Sequence, residues 1–246
     1  MFKRLRRAKT GDSEMTLVDH LAELRRRIIT VLAALFLGVL VGFYFSQQLV
    51  EYLMIIPGQL VYLYPGEAFF VHLKIALVTG IVLAFPVIIY QILRFILPGL
   101  KNSEKKVLFL GLPFAMVLFI VGVVFAYKVI LPLAYSFFMG FGTDSLEPLI
   151  SIGSYVSFVL GIVLPFGIVF QLPLIVLLLT SIGILSPEVL ARYRKPIVLV
   201  IFILSALLTP PDVISQTLMA GPMLLLYEFS IILSKLVFWN KHKGRP

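Results

Sequence analysis

The chain has 246 residues, of which 60% are hydrophobic and only 13% charged, and its mean hydropathy of +1.05 lies far above that of a water-soluble domain. Its net charge of +9 is not a nucleic-acid footprint, because the cations flank apolar runs, where anionic lipid headgroups meet them. With no cysteine, disulfide frameworks, thiolate catalysis and Cys-based metal sites are excluded, and His20, His72 and His242 are too scattered for a zinc motif, so neither metal nor cofactor is expected.

In chain order, a basic arm leads into Thr16-Leu17-Val18-Asp19, a helix-capping pattern. Leu17, Leu21, Leu24 and Ile28 recur at helical spacing, which predicts an amphipathic helix over about 14–27, lying along the inner membrane surface and feeding into the first span. A membrane crossing needs roughly 20 apolar residues, and six runs qualify or nearly qualify, at about 28–46, 73–97, 107–131, 155–181, 196–210 and 218–238. Pro86, Pro113, Pro165 and Pro173 interrupt the middle runs and predict kinks. Pro196 to Thr209 offers only about 14 residues, or about 21 Å of helix, before Pro210-Pro211 ends it. Pro222 near the start of the last run predicts that the sixth span is shortened as well. Two short full spans are favoured over a re-entrant pair, although both put the flanking cations on one side.

All but Lys74 and Lys128 of the 21 lysines and arginines lie in the N-terminal arm, in alternate gaps between runs, or in the C-terminal tail. Basic residues near span ends stay cytoplasmic, so both termini are expected inside. The outer segments carry Glu51, Glu67, Asp144, Glu147 and Asp212 instead. The expectation is an all-α integral membrane protein, one polytopic domain over 1–246 with six transmembrane helices, the fifth and sixth short.

Against a positive inner face, carboxylates stand out. Glu23 and Glu104 both fall on that side, and two acids can hold two arginines, since a guanidinium pairs bidentately with a carboxylate. Blander readings stand beside this one: Glu23 as an i,i+4 partner of Arg27, and Glu104 as a loop charge or a helix-dipole partner. Within the apolar runs, Gln91, Gln171 and Glu228 are polar groups that must face other helices or a cavity. A charge in hydrocarbon is costly, which gives Glu228 a functional or protonated reading. Asp212 reads as an outer-side helix cap.

Four stretches carry a family resemblance: His20-Leu21-Ala22-Glu23-Leu24-Arg25-Arg26-Arg27; Phe85-Pro86 through Gln91 and on through Phe95-Ile96-Leu97-Pro98-Gly99-Leu100; Ser186-Pro187-Glu188; and Leu207-Leu208-Thr209-Pro210-Pro211-Asp212-Val213-Ile214-Ser215-Gln216. On these the chain resembles the TatC family, the largest subunit of the twin-arginine protein translocase. The resemblance implies a six-span protein shaped like a cupped hand, in a prokaryotic plasma (inner) membrane, that receives twin-arginine signal peptides of folded proteins at its cytoplasmic face. It places Glu23 and Glu104 against the arginine pair, with Phe95 and Arg25 in the same region. It also implies single-span partners of the TatA and TatB types and transport driven by the proton-motive force. One departure stands out: where the family usually has a glutamate before a Leu-Pro or Val-Pro pair, this chain has Gln171 in Phe170-Gln171-Leu172-Pro173. The competing reading is a secondary transporter for a small solute, suggested by broken helices and intramembrane polar groups. No nucleophile and base stand together in the runs, so an enzyme is not expected.

Overall fold

Backbone in hydrocarbon has no water to bond, so apolar runs satisfy their amides internally, as helices. A computed structural model describes residues 17–54, 60–96, 105–141, 149–208 and 213–243. Its helices are α1 (Leu17–Tyr44), α2 (Ser46–Leu53), α3 (Glu67–Ile96), α4 (Lys105–Phe125), α5 (Leu131–Met139), α6 (Ile152–Val169), α7 (Leu172–Ser181), α8 (Pro187–Arg192), α9 (Arg194–Leu208) and α10 (Val213–Lys243). A π-helical turn, Ala126–Ile130, joins α4 to α5. Pro132 has no N–H to return to the Lys128 carbonyl, a local reason for the ladder to widen there. Among the described residues, five segments are long and apolar enough to cross a membrane: His20–Tyr44, Glu67–Phe95, Gly111–Met139, Ile152–Ser181 and Gln216–Leu236. The chain is a multi-pass membrane protein.

Three features differ from the sequence-based expectation. The surface helix and the first span are one unbroken 28-residue helix, because nothing between Arg27 and Ile28 breaks helical geometry. Leu21, Leu24 and Ile28 are exposed on its surface rather than packed on another helix. Secondly, α10 runs for 31 residues straight through Pro222, so the last helix is not shortened. A proline removes only one ladder bond, and α3, α4 and α6 likewise continue through Pro86, Pro113 and Pro165. Thirdly, of Pro86, Pro113, Pro165 and Pro173, Pro173 alone coincides with a break between helices. The chain turns at Phe170-Gln171, with the Gln171 amide bonded to the Ile168 carbonyl at 2.9 Å, and Pro173 sits in the first turn of α7, where its missing donor costs nothing. α9 has 15 residues, or about 22 Å of helix against roughly 30 Å of hydrocarbon.

α6 is central. Its Tyr155, Val156, Val159 and Phe166 pack against Val71 and Ile75 of α3 and against Ala126 and Leu131 of the π turn and α5. A second cluster stacks Phe85 on Phe119 at 3.8 Å beside Ala115 and Leu174. A third joins α7, α9 and α10 through Val176, Ile201, Tyr227 and Ile231. α1 rests on α3 at a close backbone approach: a Cβ on Gly38 would stand 2.8 Å from the Gly80 carbonyl oxygen, and one on Gly42 would stand 2.8 Å from that of Ala76. This small-residue contact fixes the register of α1 on α3, and so decides which side chains meet at their ends.

Candidate functional site

At one end of that pair, helical spacing puts His20, Glu23 and Arg27 on the side of α1 that faces the last turns of α3. The His20 ring stacks on Phe95 at 4.4 Å with 21° between planes. Arg27 is the hub. Its Nη1 donates to Gln91 Oε1 at 3.2 Å and to the Gln91 carbonyl at 3.4 Å, and its Nη2 donates to the Arg94 carbonyl at 3.2 Å. The Arg94 carbonyl is one of the four that the end of α3 leaves without a helical partner, and a cation is favoured there by the helix dipole.

Nη2 of Arg27 also pairs with Glu23 Oε1. The other carboxylate oxygen, Oε2, is buried and has no hydrogen-bond partner among the described residues. Glu23, Arg26, Arg27, Thr30, Gln91 and Arg94 line a polar cleft of about 240 Å³. The arrangement is an acceptor oxygen set among three guanidinium groups. It offers a directed hydrogen-bond acceptor in a place that otherwise repels cations.

The predicted site residues divide as follows. Glu23 and Phe95 lie together here. Arg25 is on α1 but exposed, turned away from α3. Gln91, expected as a polar group of the second span that faces another helix or a cavity, lies within the Glu67–Phe95 segment and in this cluster, where Arg27 from the neighbouring helix reaches it. Glu104 and Asp212 lie outside the described residues. Gln171 is 4% exposed, and its Nε2 donates to the carbonyls of Ala115 at 3.3 Å and Gly167 at 3.4 Å. It bridges the break between α6 and α7 to α4, with Oε1 left unpartnered. Glu228 is not a lone charge in hydrocarbon: Arg194 donates to its Oε2 at 2.8 Å.

Two residues were missed as site members by reading the sequence alone. Both stand in the His20 to Arg27 stretch that carries the family resemblance, but Arg27 was given a role only as an i,i+4 partner of Glu23, and His20 none. Their shared spacing with Glu23 on one helical side was the available signal. A third, Glu67, was read as an outer-loop charge but is 3% exposed. It accepts from the amides of Leu63 at 2.6 Å and Gly153 at 2.8 Å, and so ties the segment before α3 to the start of α6. Nearby, Val61 and Ser151 form a parallel bridge.

Comparison with known proteins gives a consistent answer. Residues 19–222 match the family described as "Sec-independent protein translocase protein (TatC)". Similar proteins include the Sec-independent protein translocase protein TatC of Carboxydothermus hydrogenoformans, 43% identical over 238 residues, covering 95% of this chain and 98% of that one. The TatC of Aquifex aeolicus is 41% identical over 235 residues, covering 92% and 98%. A crystal structure of the twin arginine translocase receptor TatC superposes with a TM-score of 0.80 at 40% identity, covering 89% of this chain and 99% of that one.

Proposed function

The chain belongs to the TatC family of Sec-independent protein translocases, which gives it a role in protein translocation, and from that premise we propose that it is the receptor for twin-arginine signal peptides. The peptide's arginines bind at the cytoplasmic ends of α1 and α3, with Glu23 and Glu104 as the carboxylates and with Phe95 and Arg25 beside them. The observation that carries this reading is the Glu23 carboxylate, half-buried against α3 with its Oε2 buried and unpartnered among the described residues, in a cleft lined also by Arg26, Arg27, Arg94, Thr30 and Gln91.

The protein sits in a prokaryotic inner membrane with both termini cytoplasmic, as the positive-inside bias requires. α9 and α10 supply the fifth and sixth of six spans, α9 crossing where the bilayer thins locally at modest cost, and the whole has a cupped shape. Folded cargo is too wide for a path through one chain of this size. Passage therefore requires assembly with single-span partners of the TatA and TatB types, and the proton-motive force drives it.

Photocrosslinking tests the receptor assignment. Probes at positions 23, 95 and 104 are expected to capture an Arg-Arg signal peptide and not its Lys-Lys version. Glu23→Gln and Glu104→Ala are expected to abolish capture from a neighbouring probe while membrane insertion is retained. Undiminished capture in both variants would overturn the assignment.

A further inference from the structure

The partners of Arg27 say more about how the site distinguishes its ligand. An arginine that merely paired with a glutamate one turn away would be free to engage both carboxylate oxygens with its fork. Arg27 does not. It gives three hydrogen bonds to acceptors of α3, namely Gln91 Oε1, the Gln91 carbonyl and the Arg94 carbonyl, and reaches Glu23 only at Oε1. Its orientation is thus set by α3, and Glu23 takes its position from Arg27. The result is a carboxylate with one oxygen engaged and the other, Oε2, buried and unpartnered among the described residues.

We infer that Arg27 is a resident guanidinium that presents Glu23 for docking, that Glu23 Oε2 accepts one arginine of the signal peptide, and that Gln91 is the positioning residue that fixes Arg27. This rests on the signal-peptide reading above and assigns the division of labour within it. Arg27 cancels the charge of Glu23, and Arg26 and Arg94 line the same cleft, so long-range attraction to a cation is weak and recognition depends on the directed bond to Oε2. Without the Gln91 side-chain acceptor, Arg27 keeps only its bonds to the Gln91 and Arg94 carbonyls, is held less firmly, and swings more readily onto both oxygens of Glu23 in competition with the peptide.

A double-mutant cycle tests this. The full chain in lipid nanodiscs is titrated with a fluorescent Arg-Arg signal peptide, for the parent, Gln91→Met, Glu23→Gln and the double variant, with Tm recorded for each. Gln91→Met is expected to weaken peptide binding about tenfold. In the Glu23→Gln background the same change is expected to alter affinity less than twofold, because the oxygen it positions is already lost. Arg27→Lys, which keeps the charge but not the fork, serves as a second variant that should show the same dependence on Glu23. Equal losses in both backgrounds, or no loss in either Gln91→Met or Arg27→Lys, would overturn the inference. Glu23→Gln with undiminished affinity would instead sink the signal-peptide reading itself, so the two failures are distinguishable.

Discussion

Arg194, the first residue of α9, donates from Nη2 to Oε2 of Glu228 in α10 at 2.8 Å, and the two side chains are 48% and 49% exposed. The pair ties α9 to α10 near a helix end. Half-exposed ion pairs contribute only about 0.2–1 kcal/mol, because solvent screens the attraction and two long side chains must be ordered. Glu228→Gln is therefore expected to lower stability by less than about 1 kcal/mol and to leave protein export intact, measured by thermal unfolding in detergent and by an export assay. Loss of export at unchanged Tm would restore to Glu228 the role of a functional charge.

The contact between Gly38 of α1 and Gly80 of α3 leads to a second prediction. A Cβ on Gly38 would stand 2.8 Å from the Gly80 carbonyl oxygen, and a Cβ on Gly80 would stand 2.5 Å from a methyl of Val39. The first obstacle is backbone, so the helices themselves must part. Gly38→Ala is expected to cost about 1–3 kcal/mol in thermal unfolding. It is also expected to weaken peptide binding, since Arg27 reaches Gln91 only while α1 keeps its register on α3. Gly161→Ala is the control: nothing lies within 4 Å of its Cβ position, and alanine favours a helix over glycine, so stability is expected to stay level or rise.

The contrast between these residues explains how much could be read from the sequence. Apolar runs located the helices because hydropathy and length decide what can cross a bilayer, and the motif stretches pointed to the family. Hydropathy does not decide which side of a helix meets another helix. The stripe of Leu21, Leu24 and Ile28 was taken for the membrane-facing side of a surface helix; α1 is continuous and leaves the stripe exposed, while His20, Glu23 and Arg27 meet α3. Gln91 was read as a polar group that faces another helix or a cavity, without its partner being named. Its place in an apolar run was visible, but the arginine that reaches it lies 64 positions earlier, a pairing created by the Gly38 and Gly80 contact. Pro222 misled similarly, because one missing donor does not end a helix, and it lies within α10 as an interior residue.

Gln171 supports a prediction of small effect. Its two hydrogen bonds go to the carbonyls of Ala115 and Gly167 at 3.3 and 3.4 Å, both long, and its own Oε1 is buried without a partner. An unsatisfied buried acceptor costs about as much as such bonds return. Gln171→Leu removes the donors and the orphan oxygen together, and stability is expected to change by less than about 1 kcal/mol. Thermal unfolding measures this. A fall in Tm of many degrees would show that the two backbone contacts hold the break between α6 and α7.

At the opposite ends of α3 and α6, Glu67 and Gly153 form a contact that neither can change alone. Glu67 Oε1 accepts from the Gly153 amide at 2.8 Å while Oε2 accepts from Leu63 at 2.6 Å. A Cβ on Gly153 would meet Oε1 at 2.6 Å. Glutamine offers one acceptor oxygen in place of two, so Glu67→Gln must set an NH₂ group against one of the two backbone amides, leaving it unsatisfied. Gly153→Ala instead pushes the carboxylate off the same amide. Each variant is expected to lower Tm by several degrees, and the double variant by less than the sum, because both break one shared contact. Peptide affinity is expected to hold in all three, since Glu23 and Arg27 lie at the other end of α3. Thermal unfolding read beside peptide titration separates the two ends, and a full additive loss would show that Glu67 and Gly153 act through different neighbours.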